Sequence, residues 1–248
     1  MKKYIASFDQ GTTSSRAVIF DKYGEIAASG QTEFKQHYPK PGWVEHDPKD
    51  LIESLLASWR AALSSGKISP EDVEAIGIAN QRETVVVWDK FTGKPVYNAI
   101  VWQCRRSAEF CEMLKRERSA FIYDKTGLPC DAYFSASKIK WILDNVPFAR
   151  RRAEKGELLF GTVDTFLLWN LTEGRVHATD YTNASRTMLF NIHTLSWDEE
   201  LCRLFGVPMS MLPEVKPSGA DFGVGSERLL EAAVPLRAAV GDQQSALF

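Results

Sequence analysis

The chain has 248 residues, 44% hydrophobic and 25% charged, which suits a soluble globular protein with ample length for a core. Thirty basic residues stand against thirty-two acidic ones, and a net charge of -2 offers no electrostatic footprint for nucleic acid or an anionic membrane. No apolar stretch approaches a membrane span, and Asp9 breaks the opening apolar run before a signal-peptide core forms.

Cys104, Cys111, Cys130 and Cys202 show no C-x-x-C spacing and are too few for a disulfide scaffold. Reduced thiols in a cytoplasmic protein are expected. The sequons at Asn170 and Asn183 then carry no meaning. His37, His46, His177 and His193 are scattered, with no zinc spacing.

Residues 4–8 read as an apolar strand, 16–20 as a second after a polar turn, and 25–34 as a third, an antiparallel meander. Residues 39–48 form a Pro- and Gly-rich loop. Asp47 is placed to cap a helix with Pro48 at its first position, and apolar residues from Leu51 to Leu63 recur at helical spacing. Residues 73–79 are the near-continuous apolar run of a buried strand.

Residues 84–88 and 96–102 read as two strands joined by a turn at 92–95. Helices are expected over 105–118, 135–145, 164–170 and 197–205, with a short apolar segment at 158–161. A last strand over 236–240 runs into Gly241-Asp242 and a helix over 243–248. Meander first, then alternating helices and strands, indicates one α/β domain with a mixed sheet and insertions.

Three segments carry chemistry. In FDQGTTSSRAVIFD, Asp9 ends a strand, Gly11 permits a tight path, and Thr12, Thr13, Ser14 and Ser15 present hydroxyls and backbone N–H groups to an anion. Arg16 can reach phosphate oxygens. A plain Ser/Thr-rich hairpin is the simpler alternative for Gly-Thr-Thr alone. The whole D-x-G-T-T-x-S-x-R between two strands resembles the first phosphate motif of the actin, hexokinase and Hsp70 superfamily. Under that reading Asp9 holds Mg²⁺, directly or through water.

Asn80-Gln81-Arg82-Glu83 follows a buried strand, where ligand contacts collect in α/β sheets. Arg82 donates and Glu83 accepts, which suits adjacent hydroxyls on a small molecule, or else an ordinary surface ion pair. Asp242 ends another buried strand. Its residue type fits a helix cap and a general base equally.

N-Q-R-E-T, with PGWVEHDP, VWQCRR, TVDTFLLWNLT, TNASRTMLFNIHTLSWDEEL, MLPEVKPS and GDQQSALF in that order, resembles the glycerol kinases of the FGGY carbohydrate kinase family along essentially the whole chain. The resemblance implies an actin-like, ribonuclease H-like domain over 1–248 that binds substrate and phosphate, and transfer of phosphate from ATP with Mg²⁺ to glycerol. It makes Asp242 the base and places Gln243 beside it. It adds Trp102 as an apolar wall and Tyr133 as a hydroxyl donor to glycerol. By residues alone, Trp102 also reads as a core tryptophan and Tyr133 as a surface aromatic. Cys104 departs from the pattern, which often has an acidic residue there, and is expected at the pocket rim.

The family's proteins carry a second, nucleotide-binding domain and form dimers or tetramers. The chain stops six residues past Asp242, so little or no kinase activity is expected of it alone. Two other functions remain open: another polyol or sugar kinase of the family, and a non-enzymatic actin-type nucleotide-binding module.

Overall fold

The computed structural model describes residues 3–247. The opening meander is present as β1 (Tyr4–Gln10), β2 (Ser14–Phe20) and β3 (Ile26–Glu33). It forms one side of a six-stranded mixed sheet. Moving outward from β1, the Val73–Asn80 strand pairs with it in parallel, then Val234–Gly241 pairs in parallel with that, and the short Val224–Gly225 strand closes the edge antiparallel.

Alternation decides which way each strand faces. In β1, Ala6, Phe8 and Gln10 are buried, whereas Ile5 is exposed and Ser7 and Asp9 are only partly covered. The buried face is covered by α1 (Pro48–Gly66), whose Leu51, Leu55, Trp59, Ala62 and Leu63 form the expected stripe. The Asp47 side chain accepts from Lys49 N at 2.9 Å, with Pro48 beginning the helix. Such a cap contributes about 1 kcal/mol. Phe8 meets Trp59 edge-on at 5.6 Å between ring centroids. A Cβ on Gly30 of β3 would lie 2.3 Å from the Ser58 carbonyl, so only glycine lets α1 settle this close.

The insertions make a second core. Helices Ala108–Thr126, Ser135–Asn145, Ala149–Glu154 and Glu199–Phe205 bury Leu114, Ile122, Ile139, Ile142, Leu201 and Phe205 together with Val87 and Phe160. Trp102 and Tyr133 lie partly buried at its border.

Several boundaries differ from expectation. The 84–88 and 96–102 segments do not form a full hairpin. Val86–Asp89 pairs instead with Leu158–Gly161, and Ala99–Ile100 with Glu45–His46. Between the two segments only the single bridges Val85–Ile100 and Trp88–Pro95 remain, because Pro95 has no N–H to continue a ladder. The 105–118 helix starts at Ala108 and runs on until Gly127 stops it in the left-handed region at φ 69°. The 197–205 helix starts at Glu199, capped by Asp198, while Trp197 joins a two-residue strand. The last helix begins at Asp242 itself and is described to Leu247, which leaves Phe248 outside the described residues.

All four cysteines are free and buried. No described helix is long and apolar enough to cross a membrane, and no described cluster of three or more His, Cys, Asp or Glu could hold a metal.

Candidate active site at three strand ends

Gln10, Asn80 and Gly241 are neighbours in register across three adjacent strands. The three chemical segments therefore leave the sheet side by side, at the roughly 4.8 Å spacing of neighbouring strands. The Asn80 and Asn183 amides bond each other reciprocally at 2.9 and 3.1 Å. Asp180 holds Asn183 through Oδ1, and its Oδ2 holds Thr182 Oγ1, which in turn accepts from Gly241 N at 2.7 Å. These buried amides and hydroxyls tie the two central strand ends together from behind.

The first segment is a tight hairpin turn in which Gly11 N donates to Ser14 O at 3.0 Å. Gln81 Nε2 bonds the Gly11 carbonyl and Gln36 Nε2 the Thr12 carbonyl, both at 2.9 Å. His46 stands between the two glutamines. Its Nε2–H donates to Gln36 Oε1 at 2.6 Å, which leaves Nδ1 facing Gln81 Nε2 at 3.4 Å. Burial pushes His46 down to about 4, so the neutral ring makes these contacts. With its carbonyls engaged behind it, the turn is free to present N–H groups and the Thr12, Thr13 and Ser14 side chains forward. Arg16 sits in register with Asp9 and donates to Gln31 Oε1 at 2.9 Å, and Gln31 Nε2 donates to Ser14 Oγ.

The Asp9 carboxyl is held above the usual carboxylate range by burial, with Arg16 opposing and the negative charge of Asp242 adding to the rise. Asp9 and Asp242 thus lie near enough for the charge of Asp242 to reach Asp9. That is a donor set into which a hard divalent cation fits, with water completing its shell.

The second segment contains a strained turn. Thr84 N donates to Arg82 O at 2.7 Å, closing a γ-turn around Glu83, whose φ is 60°. A side chain in this left-handed region costs about 1 kcal/mol, and such strain gathers at functional sites. The Glu83 carboxylate is buried and accepts from Arg186 Nε at 2.6 Å, while its carbonyl accepts from Ser135 Oγ. Burial raises the Glu83 carboxyl, and the Arg186 bond works against that rise.

Arg82 lies across the sheet toward the third segment. Its Nε is 3.2 Å from Asp242 Oδ1, and its Nη1 donates to Gln244 Oε1 at 2.9 Å. The Nε–H nevertheless lacks an aligned acceptor, a buried donor left over for a ligand. Asp242 keeps 37% of its side-chain surface exposed against 11% for Arg82, so the carboxylate faces outward. Its Oδ1 accepts from Gln243 N at 2.7 Å.

Trp102 joins the first segment to the wall. Its Nε1 donates to Thr12 Oγ1 at 3.0 Å, and its ring stands 5.4 Å from that of Tyr133. Neither is a core residue nor a free surface aromatic, since both are partly buried and form one tilted pair.

This arrangement sits in a sequence that matches the N-terminal domain of the FGGY carbohydrate kinases over residues 4–248. The chain belongs to the FGGY family of carbohydrate kinases. It is 58% identical over 247 residues to glycerol kinase 2 of Thermotoga maritima and 59% identical over 249 to a glycerol kinase of Thermoanaerobacter sp.. Those matches take in 99% and 100% of this chain, and the chain spans about half the length of the curated relatives it matches, 50% of each. Among solved structures, Plasmodium falciparum glycerol kinase with ADP superposes with a TM-score of 0.92 at 39% identity, covering 98% of this chain and 49% of that one. A gluconate kinase from Lactobacillus acidophilus, at 22% identity and a TM-score of 0.86, shares the fold. The actin-like, ribonuclease H-like architecture is that of these FGGY kinases.

Within the FGGY chain, Asp9, Thr12, Arg82, Glu83, Trp102, Tyr133 and Asp242 come together around the three strand ends. Gln243 is exposed, and the glutamine that meets Arg82 is the next one, Gln244. Cys104 is not at the rim: it is fully buried, and its Sγ accepts from Arg106 Nε at 3.0 Å. Arg106 is itself drawn inward by Glu45, at 2.6 Å, and lies over the Trp43 ring. Arg186 and Gln244 were missed by sequence reasoning. Only partners brought in by folding distinguish them from ordinary polar residues.

Proposed function

We propose that the chain supplies the substrate- and phosphate-binding half of an enzyme that transfers the γ-phosphate of ATP to glycerol. The observation that carries this reading is the Arg82–Asp242 pair, 3.2 Å apart at the ends of parallel strands, beside a Thr/Ser phosphate turn. It is supported by the high identity to glycerol kinases over the whole chain.

In the proposed reaction Arg82 and Glu83 bind adjacent hydroxyls of glycerol, one donating and one accepting. Trp102 and Tyr133 flank the carbons. Asp242, outward-facing and oriented by Arg82, takes the proton of the attacking terminal hydroxyl. Gly11 to Ser14 and Arg16 cradle the transferring phosphate. Asp9 would hold Mg²⁺, which offsets phosphate charge when bound. The contribution of the chain is then mainly positioning and electrostatics.

The test is glycerol-dependent ADP release with Mg-ATP by the whole enzyme of which the chain would be half, under conditions where the wild-type protein turns over. Asp242→Asn should lower turnover by about 10²–10⁴ with little change in glycerol affinity. Equal turnover in the two proteins would remove Asp242 from the role of base. Competition by a ketopentose for the same site would favour another sugar as the substrate.

A further inference from the structure

Among the described residues, Lys138 is a lysine with no solvent exposure, and the reaction above makes no use of it. It lies in the opening turns of the Ser135–Asn145 helix, where a cation opposes the helix dipole. No carboxylate is paired with it. Its Nζ instead reaches back to the carbonyls of the three residues preceding the helix: Ala132 at 2.6 Å, Tyr133 at 2.6 Å and Phe134 at 3.0 Å. An apolar side chain would fill this position at lower desolvation cost. The ammonium does what an apolar group cannot, holding three consecutive carbonyls on one point.

Those carbonyls belong to the turn that carries Tyr133. The Tyr133 N–H is held from the other side by Asp131 Oδ1 at 2.7 Å. With both backbone polar groups of Tyr133 fixed, its ring stands at 5.4 Å from Trp102, and the Arg186 guanidinium lies 5.7 Å from the ring centre.

We propose that Lys138 is a positioning residue of the substrate pocket: by gathering the carbonyls of Ala132, Tyr133 and Phe134 it fixes the Tyr133 ring against Trp102 and so sets the width of the slot for the polyol carbons. The occupant of the slot rests on the glycerol reading above, whereas the cradle stands without it.

Charge state matters to this device. Three carbonyls require three N–H donors, and only the ammonium has three. Burial pulls Lys138 down to about 7, while Glu83, Cys104, Cys111 and Asp131, which face it from the surrounding elements, pull the other way. Deprotonation leaves two donors and turns a lone pair toward one of the carbonyls. The Tyr133 turn therefore loosens as pH rises through neutrality.

The experiment pairs two readouts on wild type and Lys138→Met. Calorimetric titration with glycerol should show a Kd raised about tenfold in the variant, the scale of a lost charged hydrogen bond. Hydrogen exchange of the 131–135 amides, which needs no ligand, should speed up while the Val73–Asn80 strand stays protected. A folded variant with wild-type Kd and wild-type exchange at 131–135 overturns the proposal. If the variant does not fold, wild type alone decides. Exchange at 131–135, corrected for intrinsic chemistry and compared with the sheet, should lose protection between about pH 6 and 9 as the lysine gives up its charge. A flat ratio overturns the proposal. Wild type that binds no glycerol refutes the glycerol reading, and the exchange data still judge Lys138.

Discussion

A Cβ placed on Gly241 would lie 2.5 Å from Cδ and 2.8 Å from Cγ of Arg82. The glycine thus makes room for the Arg82 stem to lie flat over the strand end and bring the guanidinium to Asp242. Gly241→Ala should push Arg82 off this path and weaken glycerol binding by about tenfold or more. The sheet beneath should keep most of its stability. Calorimetry beside a thermal melt separates the two effects. Unchanged affinity would mean that Arg82 reaches the ligand by another route.

Arg186 favours the ionised form of Glu83. Burial already lifts the Glu83 carboxyl, and the Arg186 bond is the chief opposing influence. In Arg186→Met the carboxyl should rise further and stay protonated to higher pH. It then loses one acceptor for a substrate hydroxyl. Glycerol affinity in the variant should fall off on the acid side, with a midpoint about one pH unit or more above that of wild type. Coincident pH profiles would exclude ionised Glu83 as the acceptor.

His46 predicts an acid-labile fold. Its folded value, about 4, lies below the ordinary histidine value of 6.5, chiefly through burial. The folded state therefore binds fewer protons than the unfolded chain between these limits. The His46 contribution is complete above about 6.5 and is lost as pH falls through about 4, amounting to about 3 kcal/mol at most. His46→Gln should lower stability at pH 7 and flatten this acid limb. Urea midpoints at a series of pH values would show it, and equally steep limbs in both proteins would assign the effect elsewhere.

The Trp102 indole bonded to Thr12 couples the substrate wall to the phosphate turn. Thr12→Val removes the acceptor while keeping the shape. Tryptophan emission should shift, and the glycerol KM should rise along with a weaker ATP response. Thr12→Ser should restore both. A variant that alters only the ATP response would show that the link carries no information to the wall.

The meander, α1 and its Asp47 cap were legible because periodicity and capping are local. So were the three chemical segments, whose residue types declare themselves at strand ends. The region from Val96 to Trp102 was not. Its pairing is decided by a competition between a hairpin interrupted at Pro95 and partners more than fifty residues away, and no local pattern records the result. Arg186, Lys138 and Gln244 were equally hidden. A charged or amide residue on a helix or turn looks solvent-facing until the fold brings it a partner, and Lys138 lay within a segment that reads only as an amphipathic helix. Cys104 misled in the opposite sense: a departure from a family pattern suggested a place at the pocket rim, but its side chain lies in the second core beside Arg106.

The shared register of Gln10, Asn80 and Gly241 has a consequence for how such a protein tolerates change. Residues added or removed in the Thr12–Ser14 or Glu83 turns, or in the helix that carries Gln244, alter one wall and leave the others where they are. A single residue added within the Val73–Asn80 strand would instead shift Asn80 against both neighbours and carry Arg82 to the opposite side of the sheet. Variation in substrate preference is therefore open to the turns and closed to the central strand, which acts as the common datum for every group in the pocket.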